Sequence, residues 1–299
     1  MLGLRLALGA IALMAVLTAS IGGLAVVDFA GNEETPQLVL TLGGDGSYWD
    51  AVASGARVAA AQRGVQLSVS ERSGADGCAT LALVGGDESA SCCGEETNSP
   101  HLFHVGIANY SAGRLCAHYA AKHVAAGGKI VALIDDSDDS PSQPRLQGLR
   151  DTLRYYDGEG QSQEKWRVEV VSVVNGISNA IAQHADAALV IDFTDGSAAA
   201  LQECFPEESA DKRPRLVSFD SSEASWAAIE TGQLAAVVTH DPYQCGYQAV
   251  DRLTMYHRSD LIARPARGKG SVLVPAQLVE RGTLAEYRSR LKIDSSDAP

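Results

Sequence analysis

The amino-acid sequence predicts an α/β protein built as two lobes with parallel sheets. Two observations carry that expectation: short apolar strands alternate with helical stretches over residues 38–275, and one strand, helix, strand pattern occurs twice in tandem. The length agrees, because 299 residues, 45% hydrophobic and 20% charged, suffice for two units of about 130 residues each.

The first pattern opens with the apolar run 38–42 and a turn from Gly43 to Gly46, followed by a helix over 47–63 and an alternating strand over 65–69. Trp49, Val52, Ala56, Ala59 and Ala60 fall on one helical stripe, Ser47 is expected to cap the helix and Gly64 to end it. The second pattern is a strand at 129–134, a polar turn at 135–140, a helix at 143–155 and a strand at 168–173. Further strands are expected at 80–84, 102–105, 187–191, 216–219, 235–238 and 272–274. Helices are expected at 111–126, 177–184, 197–204, 223–230, 244–256 and 284–291. Strands separated by helices predict parallel sheets covered on both faces.

Charge and motifs narrow the function. With 24 Lys+Arg against 37 Asp+Glu, the net charge of −13 gives nucleic acid no electrostatic reason to approach. Residues 6–27 form an uncharged apolar stretch, expected to be a signal peptide cut after Gly23-Leu24-Ala25 or else a membrane anchor, so that the rest of the chain is exported. Gly268-Lys269 continues with Gly270 and is no phosphate loop; no Gly-x-Gly-x-x-Gly, Gly-x-Ser-x-Gly or His-Glu-x-x-His stretch occurs. No catalytic residue and no cofactor is therefore expected.

The six cysteines are expected to be buried thiols or to form one or two disulfides. Cys78, Cys92 and Cys93 with His101 and His104 match no standard zinc spacing. The acidic run 135–139 lacks the glycine and distal glutamate of a calcium loop and reads as a solvated turn.

In open parallel sheets ligands bind beyond the carboxyl ends of the strands. The residues there are polar and aromatic: Asp45 with Tyr48 and Trp49, Asp87, Asp135, Asp136, Asp192, Asp195, Asp220, and His240 with Asp241.

Four segments carry a resemblance: Leu38-Val-Leu-Thr-Leu-Gly-Gly-Asp-Gly-Ser-Tyr-Trp-Asp-Ala-Val-Ala-Ser-Gly-Ala56; Val105-Gly-Ile-Ala-Asn-Tyr-Ser-Ala-Gly-Arg114; Val217-Ser-Phe-Asp-Ser-Ser222 with Ala228-Ile-Glu-Thr-Gly-Gln233; and Val238-Thr-His-Asp-Pro-Tyr-Gln-Cys-Gly-Tyr247. Through them the chain resembles the type I periplasmic sugar-binding proteins, the ribose/galactose-binding group that shares its fold with the ligand-binding half of lactose-repressor-type regulators. The resemblance implies two Rossmann-like lobes joined by three crossovers, near 105–107, 240–242 and 275. It also implies an amino-terminal lobe of 36–106 plus 242–274 and a second lobe of 107–241 plus 275–299.

By the same resemblance Tyr48 and Trp49 present aromatics to the sugar ring, Asp220 and Arg145 match the sugar-binding Asp and Arg, and Thr194 or Asp195 falls at an Asn-Asp position. Asp87 matches an Asp-Arg position without its Arg, and His240 stands where Gln is usual. The implied function is a monomeric periplasmic or cell-envelope receptor that captures a sugar by hinge closure for the membrane permease of an ABC importer. A membrane-anchored sugar-sensing ectodomain and a relative without sugar affinity are the alternatives. Only 34 residues separate Ser70 from Val105, so the first lobe is expected to be short by about one αβ unit.

Overall fold

The computed structural model describes residues 35–71, 78–92, 100–135, 140–157, 165–173, 176–184, 186–194, 200–201, 213–219, 221–259, 263–266 and 269–296. The apolar segment 6–27, Cys93, Cys204, and most of the helix expected at 197–204 lie outside them. Among the described residues no helix is long and apolar enough to cross a membrane.

The first sheet has the order β11-β5-β4-β3-β1-β2. Its strands are β1 (Gln37–Leu42), β2 (Gln66–Glu71), β3 (Ala79–Leu83), β4 (Ser89–Cys92), β5 (Phe103–Ile107) and β11 (Gly270–Val274). The second has the order β12-β10-β9-β8-β6-β7. It is built from β6 (Gly128–Ile134), β7 (Trp166–Ser172), β8 (Leu189–Asp192), β9 (Arg215–Ser218), β10 (Ala236–His240) and β12 (Ala276–Glu280). The chain passes between sheets three times: after Ile107, after His240, and through Pro275, which alone separates β11 from β12.

Seven described helices complete the fold: α1 (Ser47–Arg63), α2 (Asn109–His123), α3 (Ser142–Asp157), α4 (Ile177–Ala182), α5 (Glu223–Thr231), α6 (Pro242–Arg258) and α7 (Leu284–Ser296). At the start of α6, Asp241 Oδ1 accepts from the amides of Tyr243 and Gln244 while Pro242 occupies the first turn, where no amide is needed. Ser47 does not cap α1 as expected. It lies inside the first turn behind Gly46, and its hydroxyl donates to Glu223 Oε1 at 3.0 Å.

Two strands depart from the parallel expectation. β3 runs antiparallel to both β1 and β4, and β12 runs antiparallel to β10. β4 and β12 were not legible as strands. The turn at 84–87 joins β3 to β4 directly, with no helix between them, which is the form the shortening of the first lobe takes.

Coverage of the sheets also differs from expectation. In the first lobe α1 and α6 lie on one face, where Leu38, Leu40, Leu81, Phe103 and Val105 join Ala56, Ala59, Ala249 and Leu253 in a single core. On the other face one register row crosses all six strands: Ser70, Thr41, Thr80, Ser91, His104 and Ser271. That row is hydroxyl and imidazole, the composition of a face not buried under a helix. The second lobe has two cores: Ile130, Ala132 and Ile134 pack with α2 and α3, while Val131 and Leu133 face Trp226, Ile229 and Tyr287 from α5 and α7.

Each lobe carries one tightly crossed helix pair, and the two pairs are built alike. A Cβ on Gly55 of α1 would lie 2.0 Å from the Tyr243 carbonyl oxygen of α6, and one on Gly246 would lie 1.9 Å from that of Val52. In the second lobe a Cβ on Gly148 of α3 would lie 2.1 Å from the Tyr110 oxygen of α2, and one on Gly113 would lie 1.8 Å from that of Arg145. The spacing is identical: a Tyr-x-x-Gly on the crossover helix faces an x-x-x-Gly on its partner, with Val52 in one lobe where the other has Arg145.

Candidate functional site

The carboxyl ends of β1, β5, β6, β8, β9 and β10 carry the candidate residues, delivered by the first turns of α1 and α3 and by the loops after the strands. From the first lobe come Tyr48 and Trp49, both half-buried, their rings edge to face with centroids 5.0 Å apart. Gly44 makes room for the indole: a Cβ there would lie 2.8 Å from Trp49 Nε1. The Tyr48 hydroxyl lies 3.1 Å from Nε2 of His240, the last residue of β10, so a hydrogen bond joins the two sheets at a crossover.

From the second lobe comes Arg145, in the first turn of α3. It is only 2% exposed, which for a guanidinium requires that its donors be engaged. Nε donates to Asn109 Oδ1 at 2.7 Å, Nη1 donates to the Phe193 carbonyl at 2.6 Å, and the guanidinium lies 4.3 Å over the Phe219 ring. Ser142 Oγ donates to the same Phe193 carbonyl. Asp192, fully buried, accepts through Oδ1 from the amide and hydroxyl of Thr194, at 2.9 and 2.7 Å. The Thr194 hydroxyl proton is committed to Asp192, which leaves its oxygen as an acceptor.

Among the expected residues, Tyr48, Trp49 and His240 therefore come together, and Arg145 and Thr194 share the loops around Phe193. Asp195 and Asp220 lie outside the described residues. Asp87 is a correction. Because β3 runs opposite to β1, with Leu83 beside Leu38, the turn after β3 carries Asp87 to the foot of the lobe, away from the strand ends that hold Tyr48.

Several participants escaped the reading of the sequence. Asn109, Phe193 and Phe219 hold Arg145, and each follows a strand by one or two residues, a signal that was available. His104, read in the sequence only as part of a cysteine and histidine group without zinc spacing, has its Nδ1 3.2 Å from Ser91 Oγ, and burial, with His240 and His101 nearby, pushes its pKa down to about 4. Burial pushes the Cys116 thiol up to about 12, leaving it protonated and inert behind Arg145. Among the described residues no group of three His, Cys, Asp or Glu side chains is arranged to hold a metal.

Two α/β lobes joined by three crossovers are the architecture of the periplasmic binding protein fold. Residues 91–258, more than half of the chain, match the periplasmic binding protein domain, and the chain belongs to that family.

Solved structures agree on the fold. GanP, a glucose-galactose binding protein from Geobacillus stearothermophilus, aligns with a TM-score of 0.62 at 15% identity, covering 84% of this chain and 99% of that one. AraP, an arabinose binding protein from the same organism, gives 0.58 at 16% identity, over 83% and 97%. An ABC transporter, LacI family transcriptional regulator from Brachyspira murdochii gives 0.63 at 16% identity, over 86% and 98%. No curated protein sequence matches the chain.

Proposed function

We propose that the protein is an exported, monomeric solute-binding receptor that captures a sugar or similar polyhydroxylated small molecule between its lobes and hands it to the membrane permease of an ABC importer. The observation that carries this reading is the meeting of Tyr48 and Trp49 from one lobe with His240 from the other at the strand ends. Aromatic rings suit the C–H faces of a sugar, and the hydroxyl, imidazole and Thr194 oxygen suit its hydroxyls. Ligand closes the hinge because only the closed form lets both lobes touch it at once. The receptor catalyses nothing; binding and release are its whole chemistry. The likeness to glucose-galactose and arabinose binding proteins supports hexoses and pentoses as the ligand class.

A thermal-shift screen of the purified protein against pentoses, hexoses, inositols and deoxy sugars tests this. A ligand at 100 times its dissociation constant adds about 2.7 kcal/mol, a shift of a few degrees. A shift with one sugar that disappears in Trp49→Ala and Asp220→Ala supports the receptor. No shift with any member overturns sugar capture and favours a relative that keeps the fold without the affinity.

A further inference from the structure

The foot of the second lobe, at the opposite end of its strands from the hinge, holds a recess of about 700 Å³. Three arginines from three places line it: Arg213 before β9, Arg215 at its start, and Arg281, which the antiparallel β12 carries to the same end. In a chain with net charge −13 this is an unusual concentration of positive charge. Several other arginines pair with carboxylates: Arg63 with Asp251, Arg264 with Glu88, and Arg288 with Glu230.

Among the described residues these three have no carboxylate partner. Arg213 donates to the Gly232 carbonyl and Arg215 to the Tyr119 phenol, both neutral acceptors. Arg281 is exposed and has no hydrogen-bond or ion-pair partner among the described residues. One carboxylate, Asp186, also lines the recess and is paired with Lys129 at 2.7 Å, and Glu280, next to Arg281 in the chain, pairs with Lys122 at 3.0 Å. Three guanidinium groups thus line one recess, and among the described residues no carboxylate pairs with any of them, so an anion entering it would meet donors from three elements.

We propose that this recess is a second ligand site, separate from the hinge, that binds a phosphate group. A tetrahedral phosphate offers oxygens in several directions and suits guanidinium forks arriving from different elements, whereas a lone carboxylate matches a single fork. The volume accommodates a phosphorylated small molecule rather than the bare ion alone. The same group is presented by free phosphate compounds and by phospholipid headgroups, so the two sources are tested in separate arms.

The test titrates the purified full chain with inorganic phosphate at constant ionic strength, reading thermal midpoint and calorimetric heat, and separately with phosphatidylglycerol vesicles in a flotation assay. Expected is a saturable response that weakens about tenfold in Arg281→Gln and again in Arg215→Gln, while Arg252→Gln, on the α6 surface, binds as the parent does. Vesicle binding with the same arginine dependence, without a response to free phosphate, assigns the group to a headgroup. A phosphate effect equal to that of sodium chloride at matched ionic strength, with no arginine-dependent vesicle binding, overturns the proposal, as does saturable binding unchanged in both arginine variants. Arg281 lacks a partner whose loss would unfold the protein, so its variant reads binding directly.

Discussion

The two lobes share one joint and differ in nearly everything around it. Each has a pair of helices crossed through reciprocal glycines, Gly55 with Gly246 and Gly113 with Gly148, yet among the described residues the first lobe shows two layers and one core while the second shows three layers and two. The residue three before the glycine is Val52 in one and the buried Arg145 in the other. Layers can thus be lost without disturbing the strand ends, because the helix pair, and not the outer layer, aims those ends. The same comparison separates the strand ends: aromatic rings from the first lobe, a buried guanidinium from the second.

The joint itself is the most sensitive place. Gly246→Ala and Gly113→Ala each put a methyl group into a backbone oxygen, and each should cost about 3 kcal/mol or more in a urea titration. Equal costs would make the two pairs one device; a tolerated Gly246→Ala would confine it to the second lobe.

Acid should act on the first lobe before the second. Folding lowers the pKa of His104 from 6.5 to about 4, so the unfolded chain binds the extra proton between those values. Stability is then full above pH 6.5 and falls as the pH drops toward 4, by on the order of 3 kcal/mol. His104→Gln should flatten that slope, and a slope unchanged by the substitution would show that another group carries it.

Arg145→Ala leaves the Asn109 oxygen and the Phe193 carbonyl without their charged donor, and a loss of about 2 kcal/mol is expected by thermal unfolding. Val52→Ala at the equivalent place should cost about 1 kcal/mol, since only packing is lost. The smallest effect belongs to Tyr48→Phe, which removes one half-buried hydrogen bond to His240 and should lower stability by about 1 kcal/mol or less. A larger loss would mean that the bond holds the lobes together even without ligand.

Much of this was legible in the sequence. Periodicity located the helices of both βαβ patterns to within a few residues, since their apolar stripes are long; the strand-end rule pointed to Tyr48, Trp49, Asp192 and His240, and the family resemblance to Arg145 and Thr194. β4 and β12 were hidden because four or five residues such as Ser89-Ala-Ser-Cys92 show too little alternation to stand out. Asp87 was misjudged for a different reason: composition does not encode strand direction, and reversing β3 moves the residue after it from one end of the sheet to the other. The polar row from Ser70 to Ser271 is spread over six strands and becomes visible only once they are in register.

The position of Trp49 makes the protein its own optical reporter. Of its three tryptophans, Trp166 and Trp226 are sealed in the second lobe's two cores, 4% and 2% exposed, where a ligand at the strand ends leaves their surroundings unchanged. Trp49 alone is half-buried at the strand ends, over Gly44 and against Tyr48. Any change in emission on filling the hinge therefore belongs to a single indole, and occupancy can be followed by intrinsic fluorescence without a label.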